Sequence, residues 1–169
     1  DFESGRVLPQ GEVGIVEVRG PNVFKGYWRN PEKTASEFRP DGFFITGDMG
    51  TIDADGYVQL VGREKDLIIT GGLNVYPAEV EAVLDDRPDV AEAAVIGVPH
   101  ADFGEAVVAV VQPIGDFDPD AVREALRAQL AGFKVPKRIV AMDQLPRNTM
   151  GKIQKKLLRE RLADMFATG

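Results

Sequence analysis

The stretch GREKDLIITGGLNVYPAEVE, running from Gly62 to Glu81, decides how the rest of the chain divides. Arg63-Glu64-Lys65-Asp66 is an exposed charged run suited to a hinge, and the character of the sequence changes across it. Leu67-Ile68-Ile69 reads as a short apolar strand that ends at Thr70-Gly71-Gly72. Paired glycines are turn formers, and they also let a backbone approach a ligand closely. Pro77 then opens a helix, with Val80, Val83 and Leu84 on one face.

Working outward toward the C-terminus, Val90–Val98 and Glu105–Val111 read as strands. Asp118-Pro119 caps a helix whose Val122, Leu126 and Leu130 recur every four residues. Ile139–Met142 reads as a third strand, and Ile153, Leu157, Leu158 and Leu162 as a closing amphipathic helix. Toward the N-terminus, Val13–Val18, Phe43–Ile45 and Tyr57–Val61 are strand-like, with a hairpin loop at Asp53–Gly56. Asn30-Pro31 starts a short helix that ends near Phe38. The fold class expected is α+β: residues 1–64 are the β-rich end of a larger body. Residues 65–169 form a small α+β domain of about three strands packed with helices, plus a short hairpin.

Composition narrows the chemistry. The 169 residues include no cysteine, which excludes disulfides and thiolate chemistry, and a single histidine, His100. A zinc site or a Ser-His-Asp triad would rest on that residue alone. The net charge of −7 argues against general nucleic-acid binding. No window approaches the ~18 apolar residues of a membrane span. No signal peptide is read, so a cytoplasmic location is expected. The chain opens Asp1-Phe2-Glu3 without an initiator Met, and a fragment or processed chain is expected. The charge is uneven: residues 132–161 carry nine Lys or Arg against Asp143 and Glu160. A local anion site and a solvated helix face (Lys155, Lys156, Arg159, Arg161) both fit that pattern.

Neither a G-x-x-x-x-G-K-[ST] loop nor a G-x-G-x-x-G turn occurs, so neither nucleotide-binding motif supports a site in these residues. Three stretches carry chemistry instead. Ile45-Thr46-Gly47-Asp48 puts a carboxylate after a strand and tight turn, where it can accept both hydroxyls of a ribose; a structural turn is the plainer reading. Gly62–Glu81 is the second. Leu145–Lys152 is the third, with a lysine in a turn containing Gly and Asn, either delivered to an anion or simply exposed.

In this order and spacing the three stretches resemble the adenylate-forming superfamily of acyl-CoA synthetases, firefly luciferases and peptide-synthetase adenylation domains. The resemblance covers nearly the whole chain. Phe24–Trp28 and Gly42–Asp48 look like the end of the family's large N-terminal body, Gly62–Glu81 like its hinge and glycine loop. Val98–Glu105 and Leu145–Lys152 look like its mobile C-terminal domain. The words at 20–28, 70–77 and 146–152 are similar to those of the malonyl-CoA and methylmalonyl-CoA synthetases.

The resemblance implies a two-step ligase. A carboxylate attacks the α-phosphate of ATP, and the CoA thiol then displaces AMP, with the C-terminal domain turning between two poses. By position, Asp48 would hold the ribose hydroxyls, and Arg63 the ribose or phosphate from the far side of the hinge. Lys65 would be the hinge, and Gly71, Gly72 and Leu73 would line the CoA path. Asn74 would sit near the adenylate, and Lys152 would bridge substrate carboxylate and ATP phosphate. The family's phosphate loop, adenine-binding motif, acyl pocket and Mg2+ ligands all belong to its N-terminal part, so this chain is expected to be the C-terminal third and inactive alone. A lysine acetyltransferase acting on Lys152 is a further expected partner. The rivals are an aryl-CoA ligase of the same superfamily and a non-catalytic module that binds CoA or a partner.

Overall fold

The computed structural model describes residue 1 and residues 4–167. They divide into two compact units, Asp1–Lys65 and Asp66–Gly169.

The first unit holds β1 (Gly14–Val18), α1 (Pro31–Glu37), β2 (Phe44–Ile52) and β3 (Val58–Arg63), the strands forming an antiparallel sheet in the order β1-β2-β3. Asn30 caps α1 by accepting from the Lys33 amide at 3.1 Å, and the helix gives way to extended chain at Phe38. The Phe24 ring meets Tyr27, Phe38 and Phe44 edge-on, with centroids 5.0–5.3 Å apart. Edge-on contact suits the aromatic quadrupole. Yet this unit buries little: Met49 is the one buried hydrophobic side chain among its described residues. β2 also runs past Ile45, so Thr46-Gly47-Asp48 lies inside a strand rather than after one.

The second unit holds β4 (Ile68–Thr70), β5 (Leu73–Val75), α2 (Pro77–Asp85), β6 (Val90–His100), β7 (Gly104–Pro113), α3 (Pro119–Arg127), β8 (Arg138–Ala141) and α4 (Lys155–Leu162). The β6–β7 hairpin is its spine, paired from Val90↔Pro113 to His100↔Gly104. β8 runs parallel to β7 from Val108↔Arg138 to Val111↔Ala141, and β4 joins β7 at Thr70↔Gly104.

Side chains of a strand alternate between faces, and here both faces are covered. Val95, Val107, Ala109 and Val111 pack with Val80 and Leu84 of α2 and Val122 and Leu126 of α3. Ala94, Ile96, Val98, Val108 and Val110 pack with Leu158 of α4 and Leu145. Covering both faces explains why β6 and β7 read as nearly unbroken apolar runs rather than as alternating ones. Each fully buried Val, Leu or Ile contributes about 1.5–3 kcal/mol.

Two helices are shorter than their apolar periods. α3 stops at Arg127, and Leu130 reaches the same core from the loop beyond it. α4 starts at Lys155, because Ile153 is held in an isolated bridge to Arg147.

Candidate active site

In the first unit the site is built by a bulge. β1 and β2 are in register at Ile15↔Met49 and again at Glu17↔Ile45, so three β2 residues stand opposite one on β1. Gly47 takes φ +71°, a left-handed conformation that favours glycine. Thr46 pins the bulge: its hydroxyl donates to the Val16 carbonyl at 2.7 Å and accepts from the Asp48 amide at 3.0 Å. Bulges of this kind re-aim side chains beside functional sites. Asp48 emerges directly opposite Arg63 on β3, with Arg63 Nε 2.7 Å from Asp48 Oδ1. Arg63 lies in the same sheet as Asp48 and faces it across one strand pair. Lys65 sits exposed in the 3-10 turn Glu64–Asp66 that follows.

In the second unit Gly71 and Gly72 are the two central residues of the β4–β5 hairpin, with φ +57° and +79°. Left-handed conformations at both positions suit a type I′ turn, so the turn alone accounts for the double glycine. The Gly71 amide donates to the Phe103 carbonyl at 2.9 Å, tying the turn to the β6–β7 connection. Leu73 and Asn74 follow on β5, both exposed.

Beside this turn lies a hollow of about 210 Å³ lined by residues that include Thr70, Gly71, Leu73, Phe103, Phe133 and Lys137. The Lys137 ammonium stands 3.9 Å over the Phe103 ring. A second hollow of about 250 Å³ shares Lys137 and adds Arg123 and Arg127. Arg123 Nη2 holds Asp120 at 2.8 Å, but its Nε is buried without a partner. The sequence reading missed this cluster. Its signal in the sequence is Phe133-Lys134-Val135-Pro136-Lys137, an aromatic and a cation flanking a proline, of which the basic charge shows only Lys134 and Lys137.

Lys152 occupies a different loop. The Asn148 amide donates to the Lys152 carbonyl, and Asn148 Oδ1 accepts from the Met150 and Lys152 amides, all within 2.9–3.0 Å. Arg147 pairs with Glu92 of β6 and donates to the Gly151 carbonyl. Among the described residues the Lys152 ammonium itself forms no ion pair. Its basic neighbours do, against the solvated-face reading: Lys155 pairs with Glu81 at 2.7 Å and Arg159 with Asp66 at 2.5 Å, both half-buried. Lys156, 86% exposed, does fit that reading. His100 packs against Phe103 and Phe166, and no group of three potential ligands gathers for a metal among the described residues.

The structure therefore brings Asp48 to Arg63, and gathers Gly71, Gly72, Leu73 and Asn74 on one hairpin, but sets Lys152 apart from that hairpin. The hairpin joins β7 at Gly104, whereas the Lys152 loop is tied to Glu92, opposite Gln112. Those two points on β7 are about 27 Å apart at the usual strand rise.

Residues 79–152 match the family described as the AMP-binding enzyme C-terminal domain. Over nearly its whole length the chain is similar to enzymes of the adenylate-forming superfamily. Among its relatives, feruloyl-CoA synthase of Amycolatopsis sp. is 50% identical over 160 residues, covering 94% of this chain and 32% of that protein. The 2-succinylbenzoate–CoA ligase of Geobacillus kaustophilus is 46% identical, again over 94% of this chain and 32% of the relative. The crystal structure of ATP-bound MatB from Rhodopseudomonas palustris superposes with a TM-score of 0.91 at 60% identity, covering 97% of this chain and 33% of that one. The chain thus spans about a third of the length of the relatives it matches.

Proposed function

We propose that these residues serve an acid–CoA ligase, which joins a carboxylate to CoA through an acyl-adenylate. The observation that carries the reading is the separation along β7: the glycine hairpin joins one end of that strand, while the Lys152 loop is tied through Arg147 to Glu92, opposite the other end. A small reaction centre cannot contact both at once. A domain that presents one end, then turns and presents the other, serves two reactions in sequence, and closure in each pose keeps water from a hydrolysable intermediate. Lys65, exposed between the units, would absorb the rotation.

In the first step the carboxylate oxygen attacks the α-phosphorus of ATP and pyrophosphate leaves. Lys152, uncommitted to any carboxylate of its own chain, would sit between the two anions and hold them more strongly as charge develops. Its compact charge on a flexible stem suits that task. Asp48 would accept the ribose hydroxyls, and Arg63 would reach ribose or phosphate beside it; Asn74, carried on the glycine hairpin, would come near the adenylate once the domain has turned for the second step. In the second step the CoA sulfur attacks the acyl carbon and AMP leaves. Gly71, Gly72 and Leu73 would line the thiol arm. The hollow beside them offers the aromatic faces of Phe103 and Phe133, and Arg123, Arg127 and Lys137 supply charge for phosphates. The described residues gather no ligand set for Mg2+. A chain acting on ATP and CoA fits the cytoplasm, and among the described residues no helix is long and apolar enough to cross a membrane.

For the acid, the words at 20–28, 70–77 and 146–152 favour malonate or methylmalonate. The test is made on the natural gene product that contains these residues. ATP–pyrophosphate exchange should run with malonate or methylmalonate and fail with ferulate; the opposite preference would replace the dicarboxylate by an aryl acid. Lys152→Ala should slow exchange by ~10²–10³-fold, as lost transition-state donors do, while thioester formation from supplied acyl-adenylate continues. Acetylating Lys152 removes the same charge and should act alike. Equal loss of both half-reactions would refute the two-ended domain.

A further inference from the structure

The hydrogen bonds of Asn148 tie the Lys152 loop to itself but not to the body of the domain. That second task falls to Arg147. One of its guanidinium nitrogens pairs with the Glu92 carboxylate on β6, and another donates to the Gly151 carbonyl at 2.5 Å, one residue before Lys152. The Arg147 carbonyl in turn accepts from the Gln154 side chain at 2.9 Å. A planar guanidinium presents its donors in fixed directions, so holding two acceptors at once sets the distance between them. Glu92 stands opposite Gln112, at the end of the buried β6–β7 spine. On the exit side Lys155 pairs with Glu81, whose carboxylate also accepts from the Val95 amide at 2.7 Å. The loop is therefore bolted to the sheet before and after Lys152. The Arg147–Glu92 pair is partly exposed, at 45% and 30%, so it adds little to stability. Its distinguishing feature is its place.

We propose that Glu92, acting through the forked contacts of Arg147, is a positioning residue for Lys152, holding the loop at the height where the ammonium meets the two anions. The inference rests on the reading of Lys152 as the adenylating lysine. A reacting group displaced by about 1 Å can lose ~10²-fold in rate, so loosening this bolt should be felt in the first half-reaction.

The test uses the natural gene product and both half-reactions. Arg147→Ala should lower kcat for ATP–pyrophosphate exchange by ~10–10²-fold, leave the KM for ATP within about 2-fold, and spare thioester formation from supplied acyl-adenylate. Glu92→Gln keeps the shape and removes the charge; it should give a smaller loss of the same kind. The double variant should be no slower than Arg147→Ala alone, since both act on one contact. The deciding arm is Arg147→Ala placed in the Lys152→Ala background: a residue that acts through Lys152 has nothing left to position, and no further loss should follow. A further loss there, slowing of both half-reactions alike, or wild-type exchange in Arg147→Ala while Lys152→Ala is crippled would each overturn the proposal. If instead Lys152→Ala leaves exchange unchanged, the assignment of Lys152 fails first and takes this inference with it.

Discussion

At the scale of single residues, neighbouring charges decide what each ionisable group can do. Lys155 and Arg159 are fastened to Glu81 and Asp66, while Lys152 in the same basic stretch stays unpaired among the described residues. A run of basic letters does not distinguish them, because the acids that neutralise two of the three come from distant segments. Asp85 shows the opposite pressure. Although Asp85 is exposed, partial desolvation, then the charges of Glu81, Glu92 and Asp86, raises its carboxyl above the ordinary aspartate range, while a hydrogen bond from the Ala93 backbone pulls the other way. A carboxyl raised in the folded state binds its proton more tightly there. Its favourable contribution is present below the unfolded value and is lost as the pH rises through the folded one. Asp85→Asn keeps an acceptor for Ala93 and removes the charge. It should raise the Tm at pH 7 by about 1–2 °C, a small shift because the group is partly solvated, and by nothing near pH 3. Melting curves at the two pH values check this; equal shifts at both would show that charge is not the cause.

At the scale of elements, the β4–β5 turn serves two purposes that one pair of variants can separate. Gly72 has φ +79°, yet a Cβ there would meet nothing within 4 Å. Gly72→Ala should cost about 1–2 kcal/mol through backbone strain alone. Gly72→Asn should cost less, since asparagine tolerates the left-handed region. If CoA passes over this turn, both variants should raise the KM for CoA, because both place side-chain atoms in its path. Should the KM for CoA track stability, normal in Asn and raised only in Ala, the turn would be structural and no more. The hairpin was legible from Thr70-Gly71-Gly72 because tight turns demand glycine locally. The bulge in β2 was not: Thr46-Gly47-Asp48 reads as a turn, and only pairing with β1 and β3 shows that the strand continues through it.

At the scale of the whole chain, the two units are unequally built. Nearly all the fully buried hydrophobic side chains belong to the second, while in the first Trp28 is 86% and Tyr57 74% exposed. Protection against hydrogen exchange follows buried contacts. Amides of β6 and β7, such as Val95 and Val108, should exchange ~10²-fold or more slowly than those of β1 and β3. Exchange measured residue by residue checks this, and similar rates in both units would contradict the burial.

The sequence by itself determined the local units: the Asn30 and Asp118 caps, the glycine turn, the apolar runs of β6 and β7, and the three stretches whose order marked the superfamily. Each of these depends on neighbours a few residues away, through backbone conformation or side-chain period. Tertiary structure alone decided the partners. It set Asp48 against Arg63 through a bulge, and gathered Phe103, Phe133 and Lys137 beside the glycine turn. It also bolted the Lys152 loop to Glu92, at the far end of β7 from that turn. Those relations join residues tens of positions apart, where contact is settled by strand pairing and packing, and a linear pattern carries no distance between them.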